Sequence, residues 1–464
     1  MSDSKSLTEQ IDLLLKPDKS FDIIKKEMII GSRRAFLYFI DGFIKDEVYE
    51  KMLEFLFKIK EDELNGIEDM RRFAKNKMPY VEVDCSFNPQ EIVTQILSGP
   101  SVLLIEGIRG GLIVDTRTYP MRSIEEPRKD KSLRGSREGF VETLVMNTAL
   151  IRRRIRDSRL RMEYMQIGTE TKLDIAISYI EGLADGKTLN ILRKKLKKIK
   201  VTGLSMTQQA LSEKLQKSSF FNPFPKFKFS ERPDYTSACI LDGRIALVMD
   251  NSPTVMIIPI SLCDFFRETD DYYFLPITGS YIRTLRILVS VATVFITPLF
   301  LLFVKSPQLL PQCLSFMAPE KNGTIPIIIQ LLLLELLVDG LRLASVNTPD
   351  TLSNSLGIIG GLLISEFAVN VGWFIPQTIL FTAFITVASF GLPSFEMGYA
   401  MKFQRILLLI LVQFLGVWGL IGGVVLLFIL MLCIKTLSGR CYLFPIIPFK
   451  AKAFAELFLR FPMK

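Results

Sequence analysis

Four ionisable residues stand in the most apolar part of the chain. Glu335, Asp339 and Arg342 follow one another at spacings of four and three, so on a helix they share a face. Glu366 lies inside the apolar stretch 351–371, after Gly360-Gly361, small residues that allow close helix approach. Charged side chains in lipid must pair, face the interior of a bundle or line water. Two chemistries follow. As functional groups, Glu335, Asp339 and Glu366 form part of a cation pathway. As structural groups, they pair with Arg342 or with polar backbone, and Glu335 and Asp339 have that partner close by.

A second constellation is cationic. Apolar residues at 141, 144, 145, 151 and 155 have helical spacing and predict a helix from Glu138 to Tyr164. Its other face carries Arg152, Arg153, Arg154, Arg156, Arg159 and Arg161. This reads as an anion or nucleic-acid patch, or as a solvated face near acidic lipid headgroups. No aromatic ladder accompanies the arginines, which favours the solvated face over nucleic acid. A polar cluster, Glu231-Arg232-Pro233-Asp234, precedes another expected helix, with Pro233 suited to its start and Asp234 to its first turn. Glu231 and Arg232 are placed to pair across a subdomain junction, although helix punctuation accounts for the cluster on composition alone. Arg152, Arg153, Arg154, Glu231, Arg232 and Asp234 are thus the candidates for assembly or gating.

Composition removes other chemistries. The chain has no histidine, which excludes Ser–His–Asp and Cys–His catalysis and His-ligated zinc or haem. Six cysteines never form CxxC and read as small apolar residues. Neither a GxGxxG nor a Walker A loop is present. The expectation is a protein that is not an enzyme, with no catalytic, metal or cofactor site.

The elements that must position these residues fall into two halves. Residues 287–464 hold 11 Lys/Arg and 7 Asp/Glu, about one charge in ten positions, against roughly three in ten before them. The first part is a water-soluble unit and the second is built for lipid. The net charge of +9 suits an anionic lipid surface and is too diffuse for nucleic acid. The amino-terminal stretch is polar without an apolar core, so it reads as no signal peptide, and the soluble half is expected on the cytoplasmic side.

Within the soluble half, 28–60 and 165–200 both run strand, Ile-Gly turn, strand, amphipathic helix. Leu103–Asp115 and Ile240–Asp250 both read as hairpins with an acidic-Gly turn. The expected fold is an α/β cytoplasmic region of two related subdomains followed by an α-helical transmembrane bundle. The boundaries are 1–120, a linker and connecting helix at 121–162, 163–280, a membrane domain at 281–448 and a basic cytoplasmic tail at 449–464. In the membrane half, 287–304 is an uncharged run of 18 residues, spanning roughly 27 Å, close to one bilayer core. Residues 322–334 are short for a span and suggest a re-entrant, interfacial or bundle-buried helix. Two further spans are expected at 351–371 and 374–390. The uncharged run 406–434 is long for one helix, so it is tilted or broken around Gly416, Gly419 and Gly422-Gly423. A basic tail favours an even number of spans, four to six.

The stretch 123–157, SIEEPRKDKSLRGSREGFVETLVMNTALIRRRIRD, resembles the signature of the A subunits of spore germinant receptors, the GerA family. So do ERPD at 231–234, the Asp250-Asn-Ser-Pro253 turn followed by VMIIP, and Asp271-Tyr-Tyr273. The likeness covers roughly residues 20–448 in the same order. It implies a ring of subunits whose membrane helices form a nutrient-gated cation channel, working with a transporter-like B subunit and a lipoprotein C subunit. The stretches GFIKDEVYEKMLEFL, DTRTYPMRSIEEP and NPFP carry a closer likeness to members of the spore inner membrane that promote ion release once germination begins, with a small membrane partner. One departure stands out. Receptor A subunits read like ELLREAxxRxP after the first span, whereas here Val338-Asp339 replaces Arg-Glu and the proline after Arg342 is missing.

The resulting expectation is an oligomeric ion-channel-like protein of spore germination. Its expected partners are further copies of itself in a ring, a small membrane protein, germinant-receptor subunits and the lipid membrane, with no nucleic acid. The alternatives are a nutrient-sensing A subunit of a receptor and a non-conducting membrane scaffold.

Overall fold

A computed structural model describes residues 6–44, 46–78, 82–117, 136–199, 207–216, 222–268, 270–312, 315, 319, 323–347, 368–434 and 436–461. The chain divides into two compact units. The first comprises Met1–Lys217 with Phe227–Ile260, the second Ser218–Lys226 with Ser261–Lys464.

The first unit holds two five-stranded antiparallel sheets of the same strand order. After helix α1 (Leu7–Leu15) come β1 (Ile23–Ile30), β2 (Arg33–Ile40), α2 (Asp46–Phe57), α3 (Met70–Lys77), β3 (Val83–Ser86), α4 (Pro89–Ser98), β4 (Ser101–Ile105) and β5 (Gly111–Val114). Helix α5 (Leu144–Arg154) leads to the second set: β6 (Leu160–Ile167), β7 (Leu173–Ile180), α6 (Gly186–Lys198), α7 (Thr207–Leu215), β8 (Lys228–Ser230), α8 (Pro233–Leu241), β9 (Ile245–Met249) and β10 (Val255–Ile258). The sheets run β1-β2-β4-β5-β3 and β6-β7-β9-β10-β8, so the repeat read from 28–60 and 165–200 is a repeat of topology. Ile30 pairs with Arg33, which leaves Gly31 and Ser32 as a two-residue turn, both at positive φ. That geometry matches the right-handed twist of the flanking strands.

Central strands β4 and β9 are buried along their whole length, which requires cover on both faces. In the first sheet, Leu103, Ile105 and Leu112 pack with Met52 and Leu56 of α2 and Phe73 of α3. The alternate residues Val102, Leu104 and Ile113 pack with Ile11 of α1 and Ile92 and Ile96 of α4. This is the period of two expected of strands. In the second sheet, Ala176, Ala246 and Val248 pack with Leu150 and Ile151 of α5 and Ile240 of α8.

Two sequence expectations are corrected here. The helix expected from Glu138 to Tyr164 is only α5, Leu144–Arg154; Arg161 and Tyr164 stand on β6. Asp157 turns the chain by accepting from the Arg159 amide (2.8 Å), and the residues beyond it follow strand alternation. The hairpin expected over Ile240–Asp250 is instead the end of α8 leading into β9, with Gly243 at φ 83° between them. Its counterpart is the end of α4, where Gly99 has φ 113°. Each of these helices also begins with proline.

The second unit is helical. It contains α9 (Asp270–Tyr273), α10 (Pro276–Lys305), α11 (Ile327–Asn347), α12 (Pro376–Phe390), α13 (Phe395–Leu415), α14 (Val417–Leu432) and α15 (Ala451–Phe458). Among the described residues, α10 and α13 are long and apolar enough to cross a bilayer, and α12 and α14 are shorter apolar helices. Residues 327–334 of the short uncharged run belong to a longer element, since α11 continues unbroken for 21 residues through Glu335, Asp339 and Arg342. The run 406–434 is broken at Gly416 (φ 57°) into α13 and α14. These two pack closely enough that a Cβ on Gly419 would overlap the Leu411 carbonyl. The expected span at 351–371 lies almost wholly outside the described residues.

Candidate functional site

Glu335 is the ninth residue of α11, inside its leucine-rich stretch, and its partners come from α13. The Arg405 guanidinium donates to Glu335 Oε1 from Nε (2.7 Å) and lies 2.6 Å away at Nη2. Lys402 Nζ lies 3.2 Å from Glu335 Oε2 and 2.5 Å from Asp339 Oδ2. Arg405 also donates to the Thr293 carbonyl of α10 (2.8 Å). Two acids and two bases thus tie three helices together, and their formal charges cancel. Glu335 and Arg405 are both buried, so the pairing offsets part of a desolvation cost of several kcal/mol per ion.

The sequence pointed to Arg342 as the partner of Glu335 and Asp339. The structure gives both acids to Lys402 and Arg405 instead. Arg342 lies over three aromatic rings, those of Phe390, Phe395 and Tyr399, at 5.0, 5.6 and 5.9 Å. Glu366 lies outside the described residues. Around the charge cluster runs a polar seam. Ser290, Thr293 and Thr297 of α10 and Gln404 of α13 are buried, and the Thr297 hydroxyl and the Gln404 carbonyl oxygen have no hydrogen-bond partner among the described residues.

A second charge centre fixes the start of α10. Asp271 accepts from Arg283 Nε (3.1 Å) and from Arg286 Nη1 (3.0 Å), and Glu268 lies 2.6 Å from Arg286 Nη2. Asp271 of the Asp-Tyr-Tyr signature, together with Glu268, thereby neutralises the two arginines that precede the uncharged run.

In the first unit, the candidate arginines have distinct places. Arg152 is fully buried, not on a solvated face. Its guanidinium grips the Asp22 carboxylate (Nε–Oδ2 2.6 Å, Nη2–Oδ1 3.1 Å) and donates to the Leu160 carbonyl (3.2 Å). Asp22 precedes β1 and Leu160 opens β6, so Arg152 joins the two subdomains. Helix α5 supports the same junction, with Ala149 in the core of the first subdomain and Leu150 in that of the second. Arg153 and Arg154 both reach Glu138, at 3.0 and 2.7 Å. Arg232 pairs with Asp234 two residues on (2.6 Å) and donates to the Ser136 carbonyl (3.3 Å). The Glu231 carbonyl accepts from the Phe140 amide (2.8 Å). The ERPD cluster is therefore both punctuation for α8 and a clamp on the segment entering α5.

Residues outside the assembly and gating candidates complete the junction. Arg161 of β6 lies 2.9 Å from Glu181 and donates to the Leu15 carbonyl (2.9 Å). Glu181 is also 2.9 Å from Lys16. The Lys16 hydrogen bond, with Arg161 behind it, holds the Glu181 carboxyl down at about 2. The DNSP turn acts on α5 as well, since Asp250 Oδ1 accepts from the Leu144 amide (2.9 Å) at that helix's first turn.

Comparison with known proteins follows the same lines. A family model described as Bacillus/Clostridium GerA spore germination protein matches residues 10–464. Stage V sporulation protein AF of Bacillus subtilis is 35% identical over 95% of this chain and 89% of its own length. Spore germination protein KA of the same organism is 28% identical over 96% of this chain and 82% of its own. The crystal structure of the N-terminal domain of the A subunit of the Bacillus megaterium spore germinant receptor GerK3 aligns with 54% of this chain and 92% of that one. Its identity is 26% and its TM-score 0.41.

Proposed function

The chain belongs to the Bacillus/Clostridium GerA family of spore germination proteins, and from that premise we propose that it promotes cation release during germination as an oligomeric, channel-like membrane protein. The observation that carries this reading is the polar seam of the second unit. Glu335, Lys402, Arg405, Thr293 and Thr297 lie between helices whose outward residues, such as Leu288, Leu336 and Phe403, are apolar. Ionisable groups at that depth are costly and are retained where ions or protons pass. The bundle of one copy closes this seam with its own ion pairs. A water-filled path therefore calls for several copies in a ring, or for helix movements that part the pairs.

The motif likeness of GFIKDEVYEKMLEFL, DTRTYPMRSIEEP and NPFP to family members that promote ion release favours an accessory role over recognition of one nutrient. On this reading the partners are other copies of the chain, a small membrane protein and germinant-receptor subunits. The location is the spore inner membrane, with the first unit on the core side, since Arg283 and Arg286 precede the first span. The test is cation release from spores lacking the protein, challenged separately with several unrelated germinants. Slower release with every germinant is expected. Loss of one response with the others normal would replace this reading by a dedicated receptor subunit, and normal release with all of them would leave a non-conducting scaffold.

A further inference from the structure

The carboxy-terminal helix is fixed at one level of the bundle. Arg283 Nη1 donates to the Glu456 carbonyl (2.9 Å), and the Arg460 amide donates to Ser280 Oγ (2.8 Å). The Arg460 guanidinium also reaches the Phe274 carbonyl. Residues 280–283 stand just before the uncharged run 287–304 of α10, so α15 lies alongside the turn at which α10 enters its apolar stretch.

The segment has a packed side and an open side. Leu457 is buried, and the Phe454 ring meets that of Phe458 edge-on with centroids 5.5 Å apart. On the open side Phe449, Leu459 and Phe461 are 66%, 50% and 54% exposed. Arg440, Lys450 and Lys452 are exposed with them, and Glu456 is the one acid between residues 440 and 461. Tyr272 and Tyr273 of α9 and Tyr281 in the first turns of α10 are exposed at the same level. Aromatic rings at the mouth of a span mark the headgroup layer. Apolar residues beside lysines on a short amphipathic helix are the composition of an interfacial anchor.

We propose that segment 440–461 is an interfacial anchor that binds anionic lipid headgroups, with Lys450, Lys452 and Arg440 meeting the headgroup charge and Phe449, Leu459 and Phe461 entering the acyl boundary. The proposal rests on the membrane reading of α10. It assigns the tail a location in the headgroup layer rather than free in the aqueous phase.

The experiment is hydrogen exchange on the full chain in nanodiscs of phosphatidylcholine alone and of an equal mixture with phosphatidylglycerol. Exchange over 450–458 is expected to slow roughly tenfold in the anionic discs, and the gain is expected to vanish at high salt. Lys450→Gln with Lys452→Gln is expected to lose most of the gain while 287–304 stays protected. Equal exchange of the tail in both discs would overturn the proposal, as would protection that grows only with protein concentration, the sign of a second copy covering the segment. Rapid exchange over 287–304 in both discs would instead overturn the membrane reading, so the two failures are distinct.

Discussion

Removing the Arg152 guanidinium would strand the buried Asp22 carboxylate at the subdomain junction. Breaking one half of a buried pair typically costs about 3–5 kcal/mol, because the remaining charge is left uncompensated. Arg152→Ala is therefore expected to lower the first thermal transition of the full chain by an amount on the order of 10 °C. Asp22→Leu combined with Arg152→Met is expected to recover most of that loss. Calorimetry of both variants checks this, and a neutral Arg152→Ala would remove the pair from the junction. Glu181 gives a pH dependence. Its carboxyl falls from 4.5 to about 2 in the folded chain through the Lys16 hydrogen bond and then Arg161. A depressed carboxyl contributes stability that is complete above about pH 4.5 and fades as pH drops towards 2. Glu181→Gln should flatten the acid limb of a midpoint-against-pH scan, and an unchanged limb would count against the pair. At this scale the sequence exposed acids and bases but not their pairing. Glu335 lies 70 residues from Arg405, and a spacing argument reaches only neighbours on one helix, which is why it favoured Arg342.

The helical hairpin formed by α13 and α14 depends on glycine at two places for two reasons. Gly416 takes φ 57° with ψ −129° and ends α13, a backbone combination sparsely populated outside glycine that costs on the order of 1–3 kcal/mol. Gly419 admits the Leu411 carbonyl where any side chain would collide. Gly419→Leu is expected to destabilise the hairpin by about 1–3 kcal/mol, seen as a lower midpoint in detergent and lost cross-linking between cysteines placed on the two helices. An unaffected cross-link would mean the helices separate without cost. The sequence offered tilt or breakage for this run and held both, since length alone does not choose between them. It misread 138–164 because apolar positions at 144, 151 and 155 fit a helical period, while the strand beyond them, LRMEYMQI, alternates apolar and polar only over its first five residues. Short apolar runs carry both signals, and pairing with β7 decides between them.

The duplicated sheet was legible because β-branched strands, glycine turns and a following amphipathic helix recur in the same order at 28–60 and 165–200. What the sequence did not reveal is how the chain is threaded between its two compact units. Residues 1–217 and 227–260 make the first, while 218–226 leaves it and belongs to the second. There Asn222 donates to the Leu430 carbonyl (2.9 Å) and the Tyr442 hydroxyl donates to the Pro225 carbonyl (2.9 Å). The NPFP stretch is thus a fixed part of the helical unit. The polypeptide passes between the units three times. One cut between 260 and 261 leaves the NPFP stitch in place, and one cut within 218–226 leaves the chain continuous through 260 and 261. Freeing one unit from the other therefore demands three cuts, or one cut between 260 and 261 together with the extraction of that stitch from the helical unit.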